Sequence, residues 1–271
     1  MGRRGVETIG RREQKQLGLS VNFYANLLPE AAVIYAARVP KKARQAHEKR
    51  QDGVMRMGGM VMKGLIDPKE ATESNLQHYD ASFGMALEYK RDYPVLENSV
   101  DWVLVQQFSG LHDTGEMCPI IADVPVTNRS HRDEARKRLE PKVAKRIIEE
   151  YIPDPEDQLY WLGLYDRYQA NRPEDISVQM ARFIDKAQGT TRVADKVFNI
   201  HAPGGDEKRG KIAEHLWLTV PRMLEPATNL MVHLPTVAER SAMKDILLGE
   251  LKLLAQHGPP EVAETFKVYA A

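Results

Sequence analysis

Residues 99–117, SVDWVLVQQFSGLHDTGEM, decide the fold class of this 271-residue chain. Apolar residues from Trp102 to Phe108 fit one buried helix, and the polar pair His112-Asp113 follows them directly. Gly115 then predicts a turn. The stretch therefore indicates a buried helix whose C-terminal end presents an imidazole and a carboxylate side by side.

Helical patterns also dominate the rest of the chain. Residues 72–90 predict a helix with His78 near its first turns, and residues 174–188 predict one with Asp185 toward its end. Residues 132–151 carry one apolar stripe, which predicts a long helix interrupted or kinked at Pro141. Alternating β-branched runs are few, and no Asn-Gly hairpin signal occurs. The sequence predicts an all-α protein.

Composition excludes several classes of protein. No run approaches the 18 or more apolar residues of a membrane span, and the N-terminus does not resemble a signal peptide. The chain is therefore expected to be cytoplasmic, without a membrane partner. Cys118 is the only cysteine, so an internal disulfide and a cysteine metal cluster are both excluded.

Charge is distributed unevenly although the formal net charge is zero. Residues 1–60 contain twelve Lys or Arg against five Asp or Glu, so the remainder of the chain is acidic. The basic part fits either a phosphate-facing surface or a solvated, flexible arm. Overall neutrality argues against sequence-independent nucleic-acid binding, and a small molecule is the expected partner.

Four residues on separate helical segments form a candidate metal site: His78, His112, Asp113 and Asp185. Imidazole nitrogen and carboxylate oxygen together suit one divalent ion, whether Mn, Co, Mg, Fe, Ni or Zn. Such an ion lowers the pKa of bound water and neutralises a phosphate under attack. Taken singly, each of these residues is more often structural, as a core histidine or a helix cap.

The order H…HD…D resembles the HD-domain superfamily of metal-dependent phosphohydrolases, and is most similar to its 5′-deoxynucleotidase-like branch. The likeness covers roughly residues 60–200 and rests on TESNLQH, HDTGE, ADVP, HRDEARKRLE and FIDKAQ. It implies an all-helical bundle in which His78, His112, Asp113 and Asp185 are the four metal ligands. It further implies hydrolysis of a nucleotide phosphoester.

The same resemblance assigns roles to four more residues. Glu116 and Asp123 would position the attacking water and transfer its protons, while Lys63 and Lys186 would bind the substrate. The structural alternatives are a turn-capping Glu, a loop Asp and surface lysines. The sequence departs from the branch at Gly64, where an aromatic residue is expected, and in a loop before Asp123 that is two residues longer. Both departures bear on nucleoside specificity.

Three segments are expected from this reading. Residues 1–58 form a basic N-terminal extension with a helix, residues 59–200 the phosphohydrolase core, and residues 201–271 a C-terminal helical extension packed on the core. The sequence leaves the oligomeric state open, although exposed helices of such enzymes often pair to form a homodimer.

Two other functions fit parts of the pattern. An HD-type di-iron oxygenase needs two further histidines between the HD pair and the last aspartate, and the sequence offers only His131 there. A non-catalytic helical binding protein is the third reading, with the four residues serving a structural purpose.

Overall fold

The computed structural model describes residues 27–31, 39, 41–52, 75–117, 138–192, 219–257 and 267. Every regular element in these ranges is helical and none is a strand, which confirms the all-α prediction. Several predicted features lie outside them: Lys63, Gly64, Cys118, Asp123 and His131. The predicted segment boundaries at 58/59 and 200/201 also lie outside, so that division stays a prediction.

Eight α-helices are described: α1 (Lys41–Asp52), α2 (Asn75–Asp92), α3 (Trp102–Leu111), α4 (Glu140–Tyr151), α5 (Pro155–Ala170), α6 (Ile176–Ala187), α7 (Val220–His233) and α8 (Val237–His257). Short 3-10 helices occupy Pro94–Asn98 and Thr114–Met117, and a π-helical turn, Gln188–Arg192, follows α6. Among these helices, none has the length and apolar character needed to cross a membrane.

The described residues divide into two compact units. The first contains α1, α4 and α5, with α2 up to Leu87 and α3 from Gln106. In it α4 packs against α1, α5 and the 3-10 helix Thr114–Met117. Large aromatic side chains fill its core, and Phe108 and Tyr165 have no exposed surface. Burial of such side chains is the main source of its stability.

Of the two predicted effects of Pro141, an interruption or a kink, the structure shows the interruption. Helix α4 begins at Glu140 with the proline in its first turn, where the missing N–H is not needed by an earlier carbonyl. Residues 138–139 form a turn and Leu139 is 49% exposed. The described helix therefore starts at this proline instead of being kinked by it, while residues 132–137 lie outside the described ranges.

The second unit contains α6, α7 and α8, with the remaining parts of α2 and α3 and the 3-10 helix Pro94–Asn98. Helix α7 packs against both α6 and α8. The buried amide of Gln179 joins three segments: its Nε2 donates to Asn171 Oδ1 at 3.0 Å and to the Arg172 carbonyl at 2.9 Å, and its Oε1 accepts from Asn229 at 3.0 Å. These bonds satisfy a polar group that would be costly to bury alone.

The π-helical turn after α6 is held by a buried carboxylate of α8. Glu250 accepts hydrogen bonds from the Thr191 hydroxyl and, at 2.8 Å, from the Tyr89 hydroxyl. The widened turn thus begins three residues after Asp185 and has a fixed partner. Turns of this kind often occur where a helix carries functional residues.

Helix α8 begins with a capping box made by Thr236 and Glu239. The Glu239 amide donates to Thr236 Oγ1 at 3.1 Å, and the Glu239 carboxylate accepts from the Thr236 amide at 3.0 Å and from its hydroxyl at 2.7 Å. The Ser99 hydroxyl donates to the same carboxylate. Two first-turn donors are thereby satisfied, which stabilises the helix start.

Glu239→Gln should lower the free energy of unfolding at pH 7 by about 1–2 kcal/mol, because a charge-assisted acceptor is lost from a buried cap. Burial alone would raise the pKa of Glu239, but the hydrogen bonds from Ser99 and Thr236 hold this pKa below its usual value. The native fold therefore favours the ionised form. The carboxylate's contribution is complete at neutral pH and is lost as the pH falls below about 4.5 toward the lowered pKa.

Urea unfolding at pH 7 and at successively lower pH measures this effect. The stability difference between wild type and Glu239→Gln should shrink as the pH falls through that window. A difference that stays constant down to pH 3 would contradict the role of the charge.

Candidate metal centre

The four predicted ligands lie together. His78 is the fourth residue of α2, His112 and Asp113 form the turn after α3, and Asp185 is near the end of α6. One ligand atom from each lies within 4.8 Å of the other three. His78, His112 and Asp185 are each at most 5% exposed, and the Asp113 side chain is 13% exposed. The predicted convergence is therefore present, and the cluster can hold a metal ion.

The tautomer of His112 is fixed by the main chain. Its Nδ1 lies 2.8 Å from the carbonyl oxygen of Ser109, one turn earlier. A carbonyl oxygen only accepts hydrogen bonds, so Nδ1 must carry the proton. In the neutral ring, Nε2 then has a lone pair, which is the form of histidine that binds metals.

The lone pair of His112 Nε2 lies close to two other polar atoms. Nε2 lies 2.9 Å from Asp113 Oδ2 and 3.3 Å from His78 Nε2. In the neutral His112 ring, Nε2 and the Asp113 carboxylate oxygen are both acceptors, so their contact is favourable only with a cation or an extra proton between them. Ligands bound at ~2.1 Å to one ion lie ~3.0–3.4 Å apart at octahedral or tetrahedral angles. The observed separations are close to this range.

Aromatic rings enclose the imidazoles. The Tyr79 ring centroid lies 5.6 Å from that of His112 and 5.9 Å from that of His78. Tyr168 approaches His112 from another side at 6.0 Å and rests on Phe108 at 5.9 Å. These contacts limit ring rotation and exclude water, and a dry surrounding strengthens the interaction between a cation and its ligands.

A second group of carboxylates shares Asp113 with the first. Oxygen atoms of Asp113, Glu116 and Glu140 lie within 4.8 Å of one another. The Glu116 amide donates to the Asp113 carbonyl at 2.9 Å, which holds the two residues in one tight turn. Glu116 is 3% exposed, and Glu140 is half-buried at the start of α4. Glu116 thus places a buried carboxylate beside the candidate ligand Asp113.

Glu140 is the site residue that sequence reasoning did not identify. It approaches Glu116 only because α4 begins at Glu140 and its first turn contacts the 3-10 helix. The Glu-Pro pair at residues 140–141 is a helix-start signal and could have placed Glu140 at a helix N-terminus. That signal does not say which other segment the N-terminus meets.

Gly115 permits this approach. A Cβ atom on Gly115 would lie 2.5 Å from Glu140 Cγ and 2.8 Å from the Glu140 carbonyl oxygen. Real Cβ contacts are longer, so only glycine lets the two segments come this close. The residue predicted from sequence as a turn former therefore serves close packing against α4.

Tyr165 supplies a neutral hydroxyl near the carboxylates. Burial, followed by the negative charges of Glu140 and Asp113, raises the pKa of this phenol well above its usual value. The side chain has no exposed surface. Tyr165 is therefore protonated at every physiological pH and adds no negative charge to the group.

The structure gives a partner to one of the predicted substrate-binding lysines. Lys186 Nζ pairs with the Asp185 carboxylate, and the Lys186 side chain is 34% exposed. Its cation thus offsets the charge of a candidate ligand, and substrate binding by Lys186 stays a prediction. Lys63 and Asp123 lie outside the described residues.

Comparisons with protein-family models, curated proteins and solved structures found no match to this chain.

Proposed function

We propose that this protein is a metal-dependent phosphohydrolase that cleaves a phosphate ester of a nucleotide. The supporting observation is the convergence of His112 Nε2, His78 Nε2 and Asp113 Oδ2, three atoms of the kinds that ligate divalent cations. Next to them, the buried Glu116 and the half-buried Glu140 provide carboxylates for proton transfer.

Each residue has a defined task in this proposal. When bound, the ion would supply a Lewis acid that acidifies water and neutralises phosphate charge. Glu116 accepts the proton of the attacking water and returns it to the ester oxygen that leaves. The hydrogen bond from the Glu116 amide to the Asp113 carbonyl keeps the proton acceptor in the same turn as this metal ligand.

The remaining members of the site orient these groups. The Ser109 carbonyl holds His112 in the metal-binding tautomer. Glu140 increases the negative potential around Glu116, which keeps that carboxylate a better proton acceptor. Lys186 and Lys63 are proposed to bind the phosphate, as point charges suited to that group.

A nucleotide panel assayed with Mn, Co, Ni and Mg tests the proposal. Metal-loaded protein should release phosphate or pyrophosphate from at least one nucleotide, and His112→Ala combined with Asp113→Ala should abolish the release. Glu116→Gln should lower kcat at least 100-fold while one ion per chain is still bound, because a proton acceptor is removed and the ligands remain.

Glu149→Gln is the matched control, since it removes an exposed carboxylate from α4, and it should keep wild-type activity. Inactivity of the wild type across the whole panel with all four metals would refute a nucleotide phosphohydrolase. Two tightly bound irons per chain by elemental analysis would favour the oxygenase reading instead.

A further inference from the structure

We propose that an apolar cavity in the first unit binds a small neutral molecule carrying one oxygen that accepts a hydrogen bond, such as a short ketone. The cavity has a volume of about 60 Å³. It lies among α1 to α5, and none of the four candidate metal ligands lines it. It is a second site, and its assignment does not depend on the proposed hydrolysis.

The walls are almost entirely apolar. Phe83, Leu111, Ile148 and Trp161 are among the lining side chains, and all four are buried. Among the lining residues that belong to the described ranges, none is Lys, Arg, His, Asp or Glu. A charged ligand would lose its hydration there without gaining a counter-charge, so the occupant must be neutral.

Gln107 and Thr114 line the cavity and carry polar atoms that lack a hydrogen bond. Gln107 Nε2 and Thr114 Oγ1 are both fully buried atoms with no partner in the described structure. The Tyr160 hydroxyl donates to Gln107 Oε1 at 3.0 Å, which fixes the amide and leaves Nε2 as the free donor. Buried polar atoms are almost always satisfied, so an oxygen atom that accepts from Gln107 is the missing component.

The volume of the cavity favours one small organic molecule over several waters as the occupant. A cavity needs about 10–15 Å³ to hold one water, so about 60 Å³ would require several waters. Each ordered water needs two to four polar partners, and walls that expose almost only apolar surface do not supply enough of them for several waters. A molecule of roughly four to six non-hydrogen atoms fits both the volume and the polarity.

Titration of the full chain with 2-butanone, followed by NMR of backbone and side-chain amides in the presence of Mg, tests the site. Saturable shifts of the Gln107 side-chain amide and of the Leu111 and Thr114 amides are expected, with a Kd on the order of 1 mM. The isosteric hydrocarbon 2-methyl-1-butene should bind at least fivefold more weakly, because it cannot accept a hydrogen bond.

Gly110→Ala blocks the cavity without a clash. Gly110 lines the cavity, and a Cβ atom there would lie 3.6 Å from Phe83 Cζ, an ordinary contact. This variant should weaken 2-butanone binding at least tenfold. Gly163→Ala on α5 is the matched control, because its Cβ meets no atom within 4 Å and Gly163 does not line the cavity. It should bind like wild type.

Thr114→Val tests the polar contact, since it keeps the shape and removes the hydroxyl. This variant should bind the ketone more weakly than wild type does, and its affinity for the hydrocarbon should be unchanged. Absence of saturable shifts in the wild type, or equal ketone affinity in wild type and Gly110→Ala, would overturn the proposal. Equal affinity of the wild type for ketone and hydrocarbon would overturn the assignment of Gln107 and Thr114.

Discussion

Asp113→Asn should make the metal-free protein more stable and remove its stabilisation by divalent cations. In the wild type, Asp113 Oδ2 lies 2.9 Å from the lone pair of His112 Nε2. An asparagine amide can donate a hydrogen bond to that nitrogen, which replaces a repulsive contact by an attractive one. The gain should be about 1 kcal/mol. The charged ligand is lost at the same time, so the ion is bound far less tightly.

Calorimetry with EDTA and with saturating Mn or Zn measures both effects. Wild type at 1,000 times its Kd for metal should gain about 4 kcal/mol, or roughly 8–16 °C in Tm. Asp113→Asn should melt about 2–4 °C above wild type in EDTA and should show little further rise with metal. Asp113→Asn is thus expected to have the higher Tm in EDTA, and the wild type is expected to have the higher Tm with metal.

Asp166→Asn is the matched control for this pair of measurements. Its side chain is 57% exposed and pairs with Lys145 on the surface. It should respond to metal as the wild type does and should change Tm only slightly, because surface ion pairs contribute little. If metal-free Asp113→Asn were less stable than wild type, the acceptor atoms would already share an extra proton, and the reason for expecting a metal there would fail.

Gly115→Ala should destabilise the protein by about 1–3 kcal/mol, the usual range for overpacking a close contact. The added methyl would meet the Glu140 carbonyl oxygen at 2.8 Å, and this backbone atom cannot rotate away. The 3-10 helix and the start of α4 must separate, which moves Glu140 away from Glu116 and Asp113. Metal affinity should fall with stability.

Urea unfolding and metal titration of Gly115→Ala test this expectation against Gly163→Ala. The control adds a methyl where nothing lies within 4 Å. It should stabilise helix α5 by about 0.5–1 kcal/mol, because alanine loses less conformational freedom than glycine. The two substitutions are therefore expected to change the free energy of unfolding in opposite directions. A neutral or stabilising Gly115→Ala would show that the two segments can separate freely.

The positions of the candidate ligands were predictable because they depend on where helices end. His112 and Asp113 follow an apolar run that can only be a buried helix, and Gly115 indicates that the chain turns after them. Asp185 lies on a strongly amphipathic helix as well, whereas the helix that carries His78 is only weakly amphipathic. Once each helix is correctly placed in the sequence, the direction of its side chains follows from the 3.6-residue period.

Other features depend on contacts between distant segments and leave no periodic signal. Glu140 reaches Glu116 across 24 residues of sequence, and no periodic pattern relates the two positions to each other. The Gln179 bonds to Asn171 and Asn229 likewise join separate elements. Local propensity cannot predict such pairs, because they exist only after the helices have packed.

The hydrogen bond that orients His112 comes from a peptide carbonyl and not from a side chain. Every amino acid at position 109 carries that carbonyl, so genetic variation at this codon cannot delete the acceptor while the helical turn persists. The orientation of His112 therefore tolerates substitutions at position 109. If a side-chain carboxylate were the acceptor, a single substitution could remove it. Natural variants should lose this orientation only by changes that unwind the last turn of α3, such as a proline.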